Sequence, residues 1–369
     1  MSLAIIGSAA KLPMNSPHQF EDRRMNPRTF IPLQHSATFR CCARALVAIS
    51  VLMAGLGCSE KAHPPAGQIK VATAGIYAGT LDDRGNYAVI GSMHHGISYW
   101  RLSDEERLFN WSHKAATDTI LAAADTSPDG NWALTADTNT LVLWDTKTGE
   151  ASRYWQAPGE ISSVQLSSGG NKALLGLADH TAVIFDVRRG GIIHTFNHKD
   201  RVHSVSLDDK GLIAATGSAD YTAVTWDLQN NKHFVRMRHN DEVQLVVLSP
   251  DGSLVLSVSQ YDKAIIWRSR DGQVVGEIPL KAGRVKRGLS FTSARFSPDN
   301  QFLLAGQTDQ TISLWHLNDL KNPTIWKLGQ RRLWKPAGAA VIDVAFSEEQ
   351  GKFYAIASNG LVFKLTQKK

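Results

Sequence analysis

Short apolar segments alternate with polar turns through most of the chain. In 243–248 and 254–258 apolar positions recur every second residue, the period of a strand with one buried face. The intervening Ser-Pro-Asp-Gly sequence at 249–252 favours a tight turn, because Pro and Gly supply the backbone angles that such turns need. The pattern therefore predicts antiparallel hairpins of short strands.

The turn sequence recurs, and each copy is followed by an apolar alternation that ends in an aromatic residue or, in the last copy, in 361–364. The seven turns are at 82–85, 127–130, 167–170, 208–211, 249–252, 297–300 and 347–351. Four short strands in a copy cannot bury both of their faces, but radially stacked copies can. We predict an all-β fold, a seven-bladed β-propeller of four-stranded antiparallel blades over 68–369. The segment 68–72 is expected to supply the outer strand of the last blade and so close the ring.

The Trp-Asp pairs at 144–145 and 226–227, in copies spaced 41 residues apart, resemble the WD-repeat family. That family carries a structural tetrad of His, Ser or Thr, Asp and Trp in a repeat. The fourth repeat alone matches in full, with His198, Thr216, Asp220 and Trp226. The resemblance implies that Asp220 accepts a hydrogen bond from a backbone N–H or from His198, and that His198 donates toward Thr216. The fifth repeat has Tyr261 at the Asp place and Asp262 one residue later.

In the WD-repeat family, partners meet the face that carries the loops around the channel. The matching positions before the first strands are Glu160, Arg201 and Glu242, and those at the turns between the second and third strands are His180, Tyr221 and Asp262. Their alternating charge suits a polar protein or peptide segment. The resemblance therefore implies a non-enzymatic scaffold that binds a protein or peptide partner.

The amino-terminal region has a different pattern. Arg40 and Arg44 precede a mostly apolar run at 45–56, which ends just before Cys58. A basic segment, a short apolar run and small residues before a cut are the parts of an export signal. The run is shorter than the roughly 20 residues that a membrane-spanning helix needs. We therefore predict that 1–58 is a signal region.

The Cys after this run resembles the lipobox of bacterial lipoproteins, in which the Cys becomes the lipidated first residue. Gly57 fits the family pattern at the position before the Cys. The resemblance implies lipidation at Cys58 and a place in the bacterial cell envelope, on the periplasmic side. In that family, Asp directly after the Cys is the usual signal for retention in the inner membrane. Ser59 stands at this position, so the resemblance points to the outer membrane. Ordinary cleavage without a lipid is the alternative. In either case we predict that residues 59–67 form a short polar tether.

The distribution of charge and of cysteine limits the partners and the compartment that we expect. The net charge of +6 lies mostly in 1–58, which holds six basic and two acidic residues. The rest of the chain is nearly neutral, so we expect no nucleic-acid partner. All three Cys also lie in 1–58, which leaves no disulfide framework and suits an oxidising compartment. Met25 is an alternative start, which would leave 1–24 outside the protein.

No nucleophile elbow, phosphate-binding loop, His-Glu-x-x-His or Cys-x-x-Cys motif is found, so we expect no cofactor and no metal. His94 and His95 are interpreted as solvated turn residues. The rival hypotheses are a propeller enzyme with an active site at the channel mouth and a cytoplasmic WD-repeat scaffold. A cluster of histidines or carboxylates at the channel mouth with strongly shifted pKa values would favour the enzyme. The basic clusters at 281–287 and 331–335, near Trp326, are solvated loops or contacts for an acidic partner or lipid headgroups.

Overall fold

A seven-bladed propeller accounts for the described chain. The computed structural model describes residues 62–114, 119–260, 262–280, 290–329 and 339–367. Within these ranges, 28 strands form seven four-stranded antiparallel sheets. The predicted fold and blade number are confirmed. The signal region 1–58 with Cys58, the residue Tyr261 and the two basic clusters lie outside the described residues.

The strands follow one another in chain order, four to a blade. The first strand is β1 (Gly67–Lys70). Blade 1 contains β2 (Ile76–Leu81), β3 (Tyr87–Ser92), β4 (Gly96–Arg101) and β5 (Glu106–Trp111). Blade 2 contains β6 (Ala123–Thr126), β7 (Trp132–Ala136), β8 (Thr140–Asp145) and β9 (Ala151–Gln156). Blade 3 contains β10 (Ile161–Leu166), β11 (Lys172–Leu177), β12 (Thr181–Asp186) and β13 (Ile192–Asn197), with a short 3-10 turn at Ser168–Gly170.

The remaining blades repeat this arrangement. Blade 4 contains β14 (Val202–Leu207), β15 (Ile213–Ser218), β16 (Thr222–Asp227) and β17 (Lys232–Arg238). Blade 5 contains β18 (Val243–Leu248), β19 (Leu254–Ser259), β20 (Lys263–Arg268) and β21 (Val274–Pro279). Blade 6 contains β22 (Phe291–Phe296), β23 (Phe302–Gln307), β24 (Thr311–His316) and β25 (Asp319–Lys327). Blade 7 contains β26 (Val341–Phe346), β27 (Lys352–Ala357), β28 (Leu361–Thr366) and β1.

Apolar contacts between neighbouring blades form the core. Between blades 4 and 5, for example, Ile213 and Ala223 pack with Val243, Val246 and Trp267. The second strand of a blade is covered on both faces, so all six residues of β15 are buried and small or apolar. The outer strand β13, in contrast, is mostly exposed.

Glycine on the second strand allows the closest approach between blades. A Cβ atom on Gly217 would lie 2.8 Å from Cγ1 of Val243 in the next blade. Gly306 holds the same register in blade 6, where a Cβ would lie 2.3 Å from Cγ1 of Val341. A side chain at either position would therefore push neighbouring blades apart.

The amino-terminal strand closes the ring as predicted. β1 pairs antiparallel with β28, from Gly67 opposite Lys364 to Lys70 opposite Leu361. Ile69 on β1 is 1% exposed and lies in the apolar cluster between blades 7 and 1. The later part of the predicted tether lies against the propeller. His63 donates its backbone N–H to the carbonyl of Ile325 on β25 at 2.8 Å.

Topology gives the ring two distinct faces. The upper face carries the segments that precede each inner strand and the turns between second and third strands. The lower face carries the turns that follow the inner strands and those between third and fourth strands. In the described ranges, no helix is long and apolar enough to cross a membrane. Trp326, expected near an exposed cluster, is instead fully buried between blades 6 and 7, because its ring packs against Phe353.

Candidate functional site

The predicted tetrad residues meet in blade 4. Nδ1 of His198 lies 3.1 Å from Oδ2 of Asp220, and Nε2 of His198 lies 2.8 Å from Oγ1 of Thr216. Nε1 of Trp226 donates to the same Thr216 hydroxyl at 2.8 Å. Burial lowers the pKa of His198, so the imidazole is neutral near neutral pH.

Asp220 accepts from His198 as expected, but the hydrogen bond between His198 and Thr216 runs opposite to the expected direction. An indole N–H only donates and a carboxylate only accepts. A neutral His198 that donates from Nδ1 to Asp220 must accept at Nε2. Thr216 therefore donates to His198, and Trp226 donates to Thr216. The chain runs from Trp through Thr and His to Asp, opposite to the predicted step from His198 to Thr216.

Blade 2 brings together a second set of His, Thr, Asp and Trp side chains, which was not identified in the sequence. Nε2 of His113 lies 2.8 Å from Oγ1 of Thr135, which accepts from Nε1 of Trp144 at 2.7 Å. Nδ1 of His113 lies 2.8 Å from Oγ1 of Thr140 and 3.5 Å from Oδ2 of Asp137, so Thr140 takes the hydrogen-bonding place that Asp220 has in blade 4. Asp137 follows Thr135 by two residues, whereas Asp220 follows Thr216 by four. Because the turn between the second and third strands is shorter in blade 2, a search for Asp four residues after Thr does not find this set.

Blade 5 has an incomplete tetrad. Ser257 bonds Nε2 of His239 and Nε1 of Trp267, both at 2.9 Å. Asp262 accepts instead from the exposed side chain of Asn240 at 3.0 Å. Nδ1 of His239 is buried and has no hydrogen-bond partner among the described residues. Burial lowers the pKa of His239 to about 4.

Three predicted binding positions on the upper face are equivalent. Glu160, Arg201 and Glu242 each precede an inner strand. Each accepts, at its backbone carbonyl, a hydrogen bond from the residue just after the second strand of its blade, at 2.9, 2.9 and 2.8 Å respectively. Glu160 and Arg201 are exposed. Glu242 is half-buried, and its carboxylate lies 3.3 Å from Nε2 of His203.

The turn positions form a second equivalent set. His180 and Tyr221 are exposed and have positive φ angles of 74° and 67°. Gln310 has a φ of 69° at the same turn of blade 6 and was missed in the sequence. A positive φ angle costs conformational free energy in a non-glycine residue, and such residues cluster at functional sites. Asp262, the third predicted turn residue, is half-buried against Asn240.

Comparison with known families agrees with this geometry. The sequence matches the family described as WD domain, G-beta repeat, over residues 107–145, 190–227 and 287–316. The chain is therefore a seven-bladed β-propeller that contains WD40 repeats. The first two matched segments contain Trp144 and Trp226, the Trp residues of blades 2 and 4. No curated protein sequence matches the chain significantly.

The channel of this WD-repeat propeller contains a charged cluster that sequence analysis missed. The inner strands enclose a cavity of about 320 Å³. Nη1 of Arg295 lies 2.6 Å from Oδ1 of Asp83, and Nη2 lies 3.4 Å from Oδ2 of Asp343. Nη2 also donates to the carbonyl of Leu81 at 3.2 Å. One guanidinium therefore links blades 6, 7 and 1.

Polar side chains at the last but one position of the inner strands connect neighbouring blades. Asp125 accepts from the backbone N–H of Leu166 at 2.7 Å. Gln165 accepts in the same way from blade 4 at 2.7 Å, and Ser206 from blade 5 at 2.9 Å. Arg295 holds this position in blade 6. Counting back from the end of each predicted inner strand would have revealed the set.

Several carboxyl groups of the lower channel have raised pKa values. Burial raises the pKa of Asp125 to about 8 and those of Asp82 and Asp209 to about 6. Such shifts were the feature expected to favour an enzyme. Asp125 already bonds the next blade, and Arg295 crosses the same space. No cluster of three metal-ligating side chains occurs among the described residues. The geometry therefore gives Asp125 a role in holding the ring.

Proposed function

We propose that this WD-repeat propeller is a non-enzymatic scaffold that binds a protein partner through the upper face of blades 3 to 5. WD40 propellers are typically protein-interaction scaffolds. The observation that carries the proposal is the recurrence of exposed polar side chains at equivalent backbone positions, with Glu160 and Arg201 before the inner strands and His180 and Tyr221 at the turns. Opposite charges on consecutive blades suit a polar segment that crosses the channel mouth.

Charge reversal at the channel mouth tests this proposal. The variant Glu160→Arg/Arg201→Glu keeps the net charge and changes only exposed side chains. Tagged full-length protein would be used to capture proteins from native membranes, with quantitative mass spectrometry as the readout. We expect the variant to lose proteins that the parent captures. The control Glu150→Arg/Lys210→Glu makes the same reversal on the lower face and should retain them. Equal losses in both variants, or none in either, would contradict the proposal.

We further propose that the scaffold is an envelope lipoprotein, anchored at Cys58 on the periplasmic side of the outer membrane. The apolar run that ends at this Cys supports the anchor, and the absence of Cys from the rest of the chain suits an oxidising compartment. Cys58→Ala should move the protein from the membrane fraction to the soluble fraction. Cys42→Ala, which lies before the apolar run, should leave the distribution unchanged. Membrane association of both variants would contradict lipidation at Cys58.

One observation favours an enzyme as the second candidate. The raised pKa of Asp125 in the channel cavity is the kind of shift that general acids and bases show. We place binding ahead of catalysis because Asp125 also bonds Leu166 of the next blade. The variant Asp125→Asn distinguishes the two roles. If Asp125 is catalytic, the variant should fold as the parent does and lose enzymatic turnover. If Asp125 is structural, the variant should instead change how stability depends on pH.

A further inference from the structure

A second concave site lies at the rim of the upper face, away from the channel. It is a recess of about 660 Å³ beside blade 4, here called the rim recess. The outer strand β17 contributes Arg236 and Arg238, and the connections on either side of the blade contribute Lys199 and His239. Tyr221, on the turn between the second and third strands, also lines it. The cationic residues Lys199, Arg236 and Arg238 were not singled out from the sequence.

The cationic groups of the rim recess are largely unpaired. Arg236 and Arg238 are two residues apart on a strand, so both side chains lie on the same face of the sheet. Nη1 of Arg236 donates to Oγ1 of Thr222 at 3.2 Å and lies 3.9 Å from Oδ2 of Asp220. In the described part of the chain, the Lys199 ammonium and the Arg238 guanidinium form no ion pair.

Asp220 does not neutralise this charge. Its Oδ2 accepts from Nδ1 of His198 at 3.1 Å and from the backbone N–H of Lys199 at 3.0 Å. Its Oδ1 accepts from Oγ1 of Thr222 at 2.6 Å. One carboxylate committed to the tetrad therefore faces three cationic side chains. The two histidines of the rim recess, His198 and His239, are neutral because burial lowers the pKa of each.

We propose that the rim recess binds an acidic peptide segment of the partner protein. A guanidinium offers two parallel N–H donors that match a carboxylate, so Arg236 and Arg238 are suited to Asp or Glu side chains. Tyr221, 49% exposed, gives the peptide an aromatic contact. Tyr together with Arg is the composition that dominates binding energy at protein interfaces. A volume of about 660 Å³ accommodates several side chains rather than a single small anion. This inference rests on the proposed protein-binding function and adds to it a neighbouring site, with Tyr221 common to both.

Fluorescence anisotropy with a defined probe tests the assignment. The probe is a fluorescein-labelled hexapeptide, Gly-Glu-Asp-Glu-Asp-Gly, titrated with full-length protein at low and high salt. We expect the parent to bind the probe and to bind it less tightly as salt rises, because charge attraction is screened. The variant Arg236→Gln/Arg238→Gln should weaken binding about tenfold or more, which corresponds to about 1.4 kcal/mol.

A matched control lies on the same blade. Lys210→Gln/Lys232→Gln removes two positive charges from the lower side of blade 4, where both residues are exposed. This control should bind the probe as the parent does. Equal weakening in both variants, or no binding by the parent, would overturn the proposal. Displacement of the probe by inorganic phosphate, but not by chloride at equal ionic strength, would also overturn it in favour of a general anion site.

The two proposals fail differently. If the channel-mouth reversal leaves partner capture intact while the rim variant loses the probe, the rim recess stands and the channel-mouth proposal fails. If capture is lost at the channel mouth and the probe never binds, the rim recess alone is wrong. Circular dichroism and thermal unfolding of every variant establish that the propeller is folded before binding is compared.

Discussion

A single hydroxyl group decides whether the Trp of a blade is hydrogen-bonded. The hydroxyls of Thr135, Thr216 and Ser257 accept from the indole N–H in blades 2, 4 and 5 at 2.7, 2.8 and 2.9 Å. Ala305 holds the same register in blade 6. The indole nitrogen of Trp315 is buried there without a partner among the described residues. Such a group costs stability, because it has lost its bond to water.

Ala305→Ser should therefore stabilise the propeller. The new hydroxyl would accept from Nε1 of Trp315, as Ser257 accepts from Trp267. We expect the free energy of unfolding to rise by up to about 1 kcal/mol. Urea unfolding followed by circular dichroism measures the change.

The matched control is Ala355→Ser in blade 7. Ala355 is as fully buried as Ala305 and has the same register, but Leu365 replaces the Trp. A hydroxyl buried there meets no indole donor, so the variant should lose about 1–2 kcal/mol. Similar losses in both variants would show that the acceptor at this position contributes nothing.

Asp125 should make stability fall with rising pH. Its pKa is about 8 in the folded protein and 3.8 as an ordinary Asp, because burial disfavours the charged form. Between these values the native state holds a proton that the unfolded chain has released, so folding weakens as pH rises. Asp125→Asn removes this penalty. Relative to the parent, the variant should gain about 1–3 kcal/mol between about pH 5 and about pH 8, as seen in urea unfolding at both pH values.

The other carboxyl groups with raised pKa values affect the parent and Asp125→Asn equally. Asp82 and Asp209, with pKa values of about 6, are present in both proteins. Asp83 and Arg295, the charged neighbours of Asp125, are also unchanged. A difference between parent and variant that stays constant over the pH range would contradict the raised pKa.

At the scale of the blade, the sequence predicted strands and turns well and side-chain networks less well. The recurring polar turns, two of which contain Pro-Asp-Gly, and the spacing of the third-strand aromatics depend on local backbone geometry, so together they placed every blade. The His, Thr, Asp and Trp set of blade 2 was missed because Asp137 follows a shortened turn. The links made by Asp125 and Gln165 were missed because each bonds a residue of the next blade, about 40 residues away.

The tetrad of blade 4 should stabilise its blade measurably. Asp220→Ala removes a carboxylate whose side chain is 3% exposed and which accepts from His198, Lys199 and Thr222. Donors left without acceptors cost about 1–3 kcal/mol. Thermal and urea unfolding should show a loss of that size. Asp262→Ala, which removes a carboxylate bonded to an exposed Asn, should stay within about 0.5 kcal/mol of the parent. Equal effects would mean that the tetrad contributes nothing.

At the scale of the whole molecule, the ring is closed by a seam between its first and last strands. β1 and β28 come from opposite ends of the ring's sequence and form one sheet edge in blade 7. The sequence predicted this seam, because the last repeat has no outer strand of its own. It did not predict the cross-channel link of Arg295, which joins blades 6, 7 and 1 beside the seam.

Ile69→Ala should weaken the seam. The side chain is buried between blades 7 and 1, and its truncation leaves a cavity. We expect a loss of about 2–5 kcal/mol in the free energy of unfolding, together with faster proteolysis within 62–70. Gln68→Ala, exposed on the same strand, should leave both measurements close to those of the parent. Rapid cleavage of both variants would indicate that β1 is held too weakly to close the ring.

The position of His63 has a mechanical consequence. Its backbone forms two hydrogen bonds with β25, to Ile325 at 2.8 Å and from Lys327 at 3.0 Å, before the chain reaches β28. Blade 6 is therefore the first part of the ring to resist a pull on the amino-terminal end. Tension reaches β1 only after these two bonds break, so the seam strand is shielded from peeling by a clamp on the neighbouring blade.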